Sequence, residues 1–414
     1  MLTPSQAATS ILESVKVIGG EEIALSDADG RVLSADIESP IDLPGWDNSA
    51  MDGYAVLAEY VRTASTTPIE LSVVETIPAG TFPSREPGPG ECSRIFTGAP
   101  MPLNTDSVIR QEDTVSISDT VVRVTDVRDL GRNVRARGED ITAGSIVLTR
   151  GTILGAAHLG ILASIARSTV PIFRQPVVAI IATGDEIADL DERDAILDGK
   201  KIASSNTYSL ISMIHSAGGV SLNLGIAKDD PADLRSKLED ACAADIIITS
   251  AGVSVGEHDH VRSTLDAMGF EEKFWRIKMR PGAPVGHGIL RGTPWIGLPG
   301  NPVSTMVTFE LFARPAIRRM LDQRLLFRRC IEVEVASHIK HRPKLQHFLR
   351  VVLDRSSHPP KATPTGPQGS GILTSMARAD ALLVVPAEKN EVAPGDFLKA
   401  IVLDDPVHVA EPPF

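Results

Sequence analysis

The chain has 414 residues, 43% hydrophobic and 23% charged, the profile of a soluble globular protein too long for one hydrophobic core and so divided into domains. Lysine and arginine total 41 against 53 acidic residues, a formal net charge of −12; such a surface repels nucleic-acid backbones and anionic membranes. Aromatic residues at 4% leave no extended base-stacking platform. Cys92, Cys242 and Cys330 are scattered, with no CxxC pair, and read as small hydrophobes in a reducing compartment. No basic run followed by an apolar core opens the chain, and charges or glycines interrupt every apolar stretch before membrane-spanning length. The expected location is the cytoplasm, without nucleic-acid or membrane partners.

In chain order, residues 3–18 place Ala8, Ile11, Leu12 and Val15 at helical spacing, with Thr3 or Ser5 as cap. Residues 45–135 turn β-rich: short β-branched runs at 71–76, 107–110 and 121–127 alternate with turns such as Pro87-Gly88-Pro89-Gly90. A strand at 144–148 and a helix at 156–166 follow. Residues 176–321 alternate strand and helix. Strands are expected at 177–182, 221–226 and 245–250. Helices are expected at 207–217 with Asn206 as N-cap, from Asp230-Pro231 to about 243, at 261–268 and at 303–321. The continuous apolar run at 177–182 marks a strand buried on both faces, and the alternation predicts a doubly wound, parallel α/β sheet. Residues 330–414 return to β character, with strands at 331–335, 348–353 and 381–385 and a long loop at 356–371.

Ligands in open α/β sheets bind beyond the carboxyl ends of the strands. Five turns are expected on that edge: Thr183 to Glu186, Lys228 to Asp230, Ala251 to Asp259, Arg280 to Pro284 and Leu298 to Pro302. Each alone has a backbone explanation, since turns need Gly and Asp; together they outline a pocket. Glycine-rich turns before helices offer N–H groups to phosphates, and Glu186, Asp229, Asp230 and Asp259 suit Mg2+, which takes one or two carboxylates plus phosphate oxygens. No GxxxxGK[ST] string occurs, so P-loop chemistry is not indicated. Upstream, 47–55 is dense in polar residues, readable as an Asx-turn cluster. Arg135 and Arg137 form either a solvated face or a phosphate clamp.

The strings DNSAMDGYA (47–55), IFTGAP (95–100), RARGEDI (135–141), ATGDEI (182–187), SSN (204–206), DDP (229–231), GVSVGEHD (252–259), GLPGNPVS (297–304) and QGS (368–370) span nearly the whole chain. In combination they resemble the molybdopterin molybdenumtransferases, relatives of the gephyrin E domain. The resemblance implies an α/β multidomain fold: residues 1–44 with 138–170 as a linking domain, 45–137 as a β-rich second domain, 171–325 as the doubly wound pterin-binding domain and 330–414 as a β-barrel-like domain. It implies a homodimer in which the β-rich domain faces the partner's pocket. It also implies insertion of molybdate into adenylylated molybdopterin with Mg2+-dependent release of AMP, the product passing to acceptor molybdoenzymes. Catalytic roles then fall to Asp52, Asp140, Glu186, Asp259 and Arg280, with Glu186 and Asp259 holding the metal. Substrate contacts fall to Thr97, Arg135, Arg137, Ser205 and Asn206, to Gly252, Ser254 and Gly256, to Arg276, and to Pro299, Gly300, Asn301 and Pro302. Arg350 and Ser370 match fourth-domain positions facing the molybdate region.

The chain also departs from the family. A string that usually reads KPGKP is here Arg280-Pro281-Gly282-Ala283-Pro284, so one lysine is arginine and another is replaced by an uncharged residue. Arginine keeps charge but not lysine's geometry. Ala283 therefore keeps open a second reading, a non-catalytic pterin-binding or scaffold paralogue on the same fold. An enzyme of the related adenylyltransferase step is disfavoured by the flanking β-domains and the 47–55 string.

Overall fold

A computed structural model describes residues 1–253, 260–340 and 344–403. Its central unit is a six-stranded sheet in the order Val220–Ala227, Val177–Thr183, Ile246–Ser250, Thr293–Leu298, Gly286–Leu290, Glu271–Phe274. The first four strands run parallel. The last two are antiparallel additions, so the sheet is mixed where strand–helix alternation alone predicts parallel pairing. The reason is the two-residue turn Arg291-Gly292, whose φ values of 50° and 87° fit the hairpin turn that needs two left-handed residues.

Alternate residues of the central strands feed two cores, the pleat sending successive side chains to opposite faces. Val178, Ile180, Ile246 and Ile248 pack with the helix Ser205–Ala217 and the C-terminal helical stretch. Ala179, Ile181 and Ile247 pack with the helices Pro231–Ala241 and His260–Ala267. Asp230 caps Pro231–Ala241 through Ala232 N–H, with proline at the first turn, as its sequence predicts. Asn206 is not a cap: the helix starts at Ser205, and the Asn206 amide is spent elsewhere. The expected helix 303–321 is Pro302–Thr308, a π-turn at Phe309–Ala313 and Arg314–Met320.

The N-terminal helix Pro4–Ser14, with Thr3 and Gln6 forming a capping box, buries Ala7 and Ile11 in the first of these cores rather than against residues 20–44. A separate core joins Leu33 and Ile37 to Leu154, Leu162 and Ile172. The β-rich region is a six-stranded sheet ordered Ser107–Arg110, Gly53–Val56, Glu91–Ile95, Ile69–Ile77, Val121–Val124, Thr114–Ser118. In the C-terminal region Gln346–Asp354, Lys361–Pro364, Cys330–Val335, Phe397–Val402 and Ala381–Val385 pair in a ring closed by Gln346–Asp354 with Ala381–Val385, a barrel. Lys361–Pro364 lies inside the stretch the sequence predicts as loop; its pairing to two neighbours outweighs the local Pro and Gly content. The barrel shares a core with the α/β unit through Phe348, Met376 and Leu382. No helix among the described residues is long and apolar enough to cross a membrane.

Candidate functional site

Beyond the carboxyl ends of Val177–Thr183, Ile246–Ser250 and Thr293–Leu298 lies a cleft of about 660 Å³. Of the expected residues, Glu186, Ser205, Asn206 and Gly252 line it, as do Pro299, Gly300, Asn301 and Pro302. Thr183 lines it too, within the expected turn at 183–186, and the sequence reading gave no site role to Ile187, Ile202, Ser204, Gly371 and Leu373, which also contribute to the wall. Ser204 and Ile187 lie inside quoted strings and Gly371 directly follows another; Ile202 carries no such signal and reaches the wall through the short parallel pairing of Ile187–Ala188 with Ile202–Ala203.

Three turns are locked together here. Asn206 Nδ2 donates to Ser250 Oγ at 2.9 Å and to the Gly300 carbonyl at 2.7 Å. Thr305 Oγ1 donates to the Pro299 carbonyl at 2.6 Å, holding the 299–302 turn from below. Gly252 sits at φ +71°, and a Cβ there would lie 2.1 Å from Val261 Cγ2, so only glycine fits. Ser204, at the start of Ser205–Ala217, makes no side-chain cap bond; Thr207 N–H donates to Ser204 O, which leaves the N–H groups of Ser205 and Asn206 for a ligand at the cleft.

Other expected residues sit elsewhere. Asp229 N–H donates to Asp185 Oδ1, Asp185 N–H to Asp229 Oδ2, and Asp230 is the helix cap; neither Asp229 nor Asp230 lines the cleft, so the turn at 228–230 is a structural joint. The 280–284 turn reaches the cleft through Pro284. Arg276 and Arg280 are exposed, and Ala283 is half-buried with its carbonyl accepting from Ile277 and Val285 N–H. Ser254, Gly256 and Asp259 lie outside the described residues.

Arg350 is fully buried. Its guanidinium donates to Ser375 Oγ and to the carbonyls of Gln368 and Gly369, and burial pulls its pKa down to about 10. It holds the loop that carries Ser370, whose carbonyl accepts from Val303 N–H. This loop is how the barrel brings Gly371 and Leu373 to the cleft.

A second constellation forms on the β-rich sheet, where three of the sequence strings meet. Asn48–Ser49 pairs with Val134–Arg135. Ser49 N–H donates to Ala99 O and Gly98 N–H to Ser49 O. Asp52 Oδ1 accepts from Thr97 N–H and Oγ1–H, both at 2.8 Å; these two bonds, with Arg94 nearby, hold the Asp52 carboxyl below its ordinary pKa. Arg137 donates to Asp42 Oδ2 from Nε and to Asp47 Oδ1 from its backbone, while Arg135 and Asp140 are exposed. Gly53 is required here, since a Cβ would fall 2.0 Å from Ile109 O. No residue between 45 and 137 lines the cleft, so within the described chain the two constellations are separate.

Known proteins resemble this chain over its whole length. Family models described as the MoeA N-terminal region (domain I and II), the probable molybdopterin binding domain and the MoeA C-terminal region (domain IV) match residues 2–166, 179–319 and 332–403. A molybdopterin molybdenumtransferase of Nostoc is 40% identical over 72% of this chain and 69% of its own. Molybdopterin molybdenumtransferase 2 of Mycobacterium tuberculosis is 36% identical over 91% and 93%. A solved structure of a molybdopterin biosynthesis MoeA protein from Pyrococcus horikoshii superposes with a TM-score of 0.85 at 29% identity, covering 98% of this chain and 100% of that one. With the cleft on the matched pterin-binding domain and the barrel joined to it, the chain belongs to the molybdopterin molybdenumtransferase family, transferases of molybdenum cofactor biosynthesis.

Proposed function

We propose that the cleft binds adenylylated molybdopterin and that the protein inserts molybdate into it with Mg2+-dependent release of AMP. The observation carrying this is the uncapped first turn of Ser205–Ala217 opening into a cleft between three fixed turns. Backbone N–H groups at Ser205 and Asn206 suit the phosphates, and the Pro299, Gly300, Asn301 and Pro302 turn forms the opposite wall.

Glu186 is the one acidic residue among the described cleft residues. That fits Mg2+ held by one or two carboxylates and completed by phosphate oxygens, with Glu186 and Asp259 as the protein's share. Such an ion, held by these carboxylates, would supply positive charge to the phosphates. Molybdate is a substrate dianion, and exposed Arg276 and Arg280 on the 276–284 segment supply cations. Arg350 acts behind the Ser370 loop, shaping the wall from within. Asp52, Thr97, Arg135, Arg137 and Asp140 would reach the cleft from the partner subunit of a homodimer, since they do not line their own. Pterin nucleotide is the small-molecule partner, and acceptor molybdoenzymes take the product.

The test mixes purified protein with adenylylated molybdopterin, Mg2+ and molybdate. AMP release that requires both ions, with cofactor formed in equal amount, is the expected result. Pterin-nucleotide binding without turnover would overturn it and establish the non-catalytic paralogue that Ala283 keeps open.

A further inference from the structure

Among the described residues the cleft has no aromatic lining, although a pterin nucleotide carries both a pterin ring and a nucleobase. Aromatic side chains are scarce in this chain, at 4%. Trp275 and Trp295 are buried and stack with ring centroids 5.3 Å apart. Trp46 and Phe82 differ. They are 41% and 61% exposed, and their rings meet edge to face at 4.9 Å with planes 65° apart. No other ring pair in contact among the described residues has both members exposed.

The elements that carry Asp52 and Thr97 also place this pair. Ile77, at the end of Ile69–Ile77, pairs with Ile95 of Glu91–Ile95, and Phe96 N–H donates to Ile77 O at 3.2 Å. Thr97 follows at that sheet end and binds Asp52; the connection bearing Phe82 leaves from the same end. Trp46 immediately precedes Asp47, whose carbonyl accepts from Met101 N–H and whose Oδ1 accepts from Arg137 N–H. Two residues beyond Phe82, Ser84 N–H and Oγ–H donate to Glu75 Oε1 at 2.9 and 2.6 Å, and Arg85 N–H donates to Glu75 Oε2. Both rings therefore face water on backbone that hydrogen bonds fix. Buried aromatic rings stabilise a fold; two left exposed on fixed supports forgo that gain and form a preorganised platform.

We propose that Trp46 and Phe82 are a stacking site for a planar nitrogen heterocycle of the pterin nucleotide held in the partner subunit's cleft. This rests on the reading above, in which the face bearing Asp52 meets that cleft. A ring ligand suits the pair better than a protein partner. Two side chains fall far short of the roughly 800 Å² per partner of a stable interface, whereas stacking needs only a ring face. The β-rich region then supplies the stacking that the cleft walls lack.

The chain has three tryptophans, and with Trp275 and Trp295 buried, acrylamide quenching of emission reads Trp46. The full chain is titrated with AMP and, separately, with neopterin, using Trp46→Phe as the optical blank for each. Saturable shielding of Trp46 by at least one of them is the expected result, and which one shields tells nucleobase from pterin. Phe82→Ala should weaken that binding about fivefold or more, as loss of a stacking ring does; Phe82 is exposed, so the variant keeps its fold. Shielding by neither compound, or equal affinity in Phe82→Ala, overturns the proposal. So does emission already shielded in the free protein, since a second copy of the chain would then cover the rings. Shielding without AMP release from adenylylated molybdopterin would sink the proposed reaction and leave this site standing; AMP release with Trp46 open throughout would do the reverse.

Discussion

At the scale of single residues, position 283 isolates charge from fold. Ala283 neighbours the cleft residue Pro284 and is half-buried, with its backbone fixed by Ile277 and Val285. On the proposed reaction, a lysine here adds one charge-assisted contact to molybdate, worth roughly 1.5–3 kcal/mol, or about one to two orders of magnitude in affinity. Ala283→Lys should therefore lower the molybdate concentration giving half-maximal AMP release, while pterin-nucleotide binding stays level; an unchanged value would show that Arg280 already suffices. His287 makes a different case. It is fully buried with Nδ1 at 2.8 Å from Trp295 O, and desolvation pushes its pKa down to about 4. The folded state therefore keeps the ring neutral while the unfolded chain takes up a proton below about 6.5. Stability is lost as pH falls through the window between those values, by about 2 kcal/mol from pH 7 to pH 5. Urea titrations at the two pH values should show that loss in wild type, and His287→Asn, which keeps a donor toward Trp295 O, should lack this share of it.

At the scale of elements, the cleft depends on turns that only particular residues can make. Gly252 combines φ +71° with a Cβ position 2.1 Å from Val261 Cγ2. Gly252→Ala should cost about 1–3 kcal/mol by overpacking and move the turn off the cleft wall. A lowered urea midpoint together with weaker pterin-nucleotide binding is the expected pair of results; wild-type binding would mean that Val261 gives way. Such turns were legible because glycine, proline and Asp stand out after apolar runs, and Val177–Thr183, Pro231–Ala241 and Ala381–Val385 were readable from periodicity and caps. Other features were not. Asn206 looks like an N-cap locally, and its bonds to Ser250 and Gly300 come from residues 44 and 94 positions away. The strand Lys361–Pro364 exists because Gln346–Asp354 and Cys330–Val335 present open edges to it, which local composition does not encode. The resemblance matches Arg350 to a position facing the molybdate region, but nothing local encodes that the barrel buries it and turns its donors onto Ser375 Oγ and the carbonyls of Gln368 and Gly369.

At the scale of the whole molecule, the two constellations pose a question of assembly. Glu186 lines the cleft, whereas Asp52, fixed by Thr97, stands on a sheet that contributes nothing to that cleft. If both serve one reaction, a two-fold dimer must bring Asp52 of one subunit to Glu186 of the other, and a two-fold interface makes both such pairings at once. Complementation then discriminates. Asp52→Asn and Glu186→Gln homodimers should each be nearly inactive. In a heterodimer of the two variants, one composite site carries both substitutions and the other carries neither. Co-expression at equal levels makes about half of the dimers mixed, each with one intact site of two, so about a quarter of wild-type AMP release should return. Had both residues served within one subunit, every site in the mixture would carry one lesion and no activity would return. Size-exclusion chromatography with light scattering on the same preparation must show the dimer; recovered activity in a purely monomeric sample would rule out the shared site.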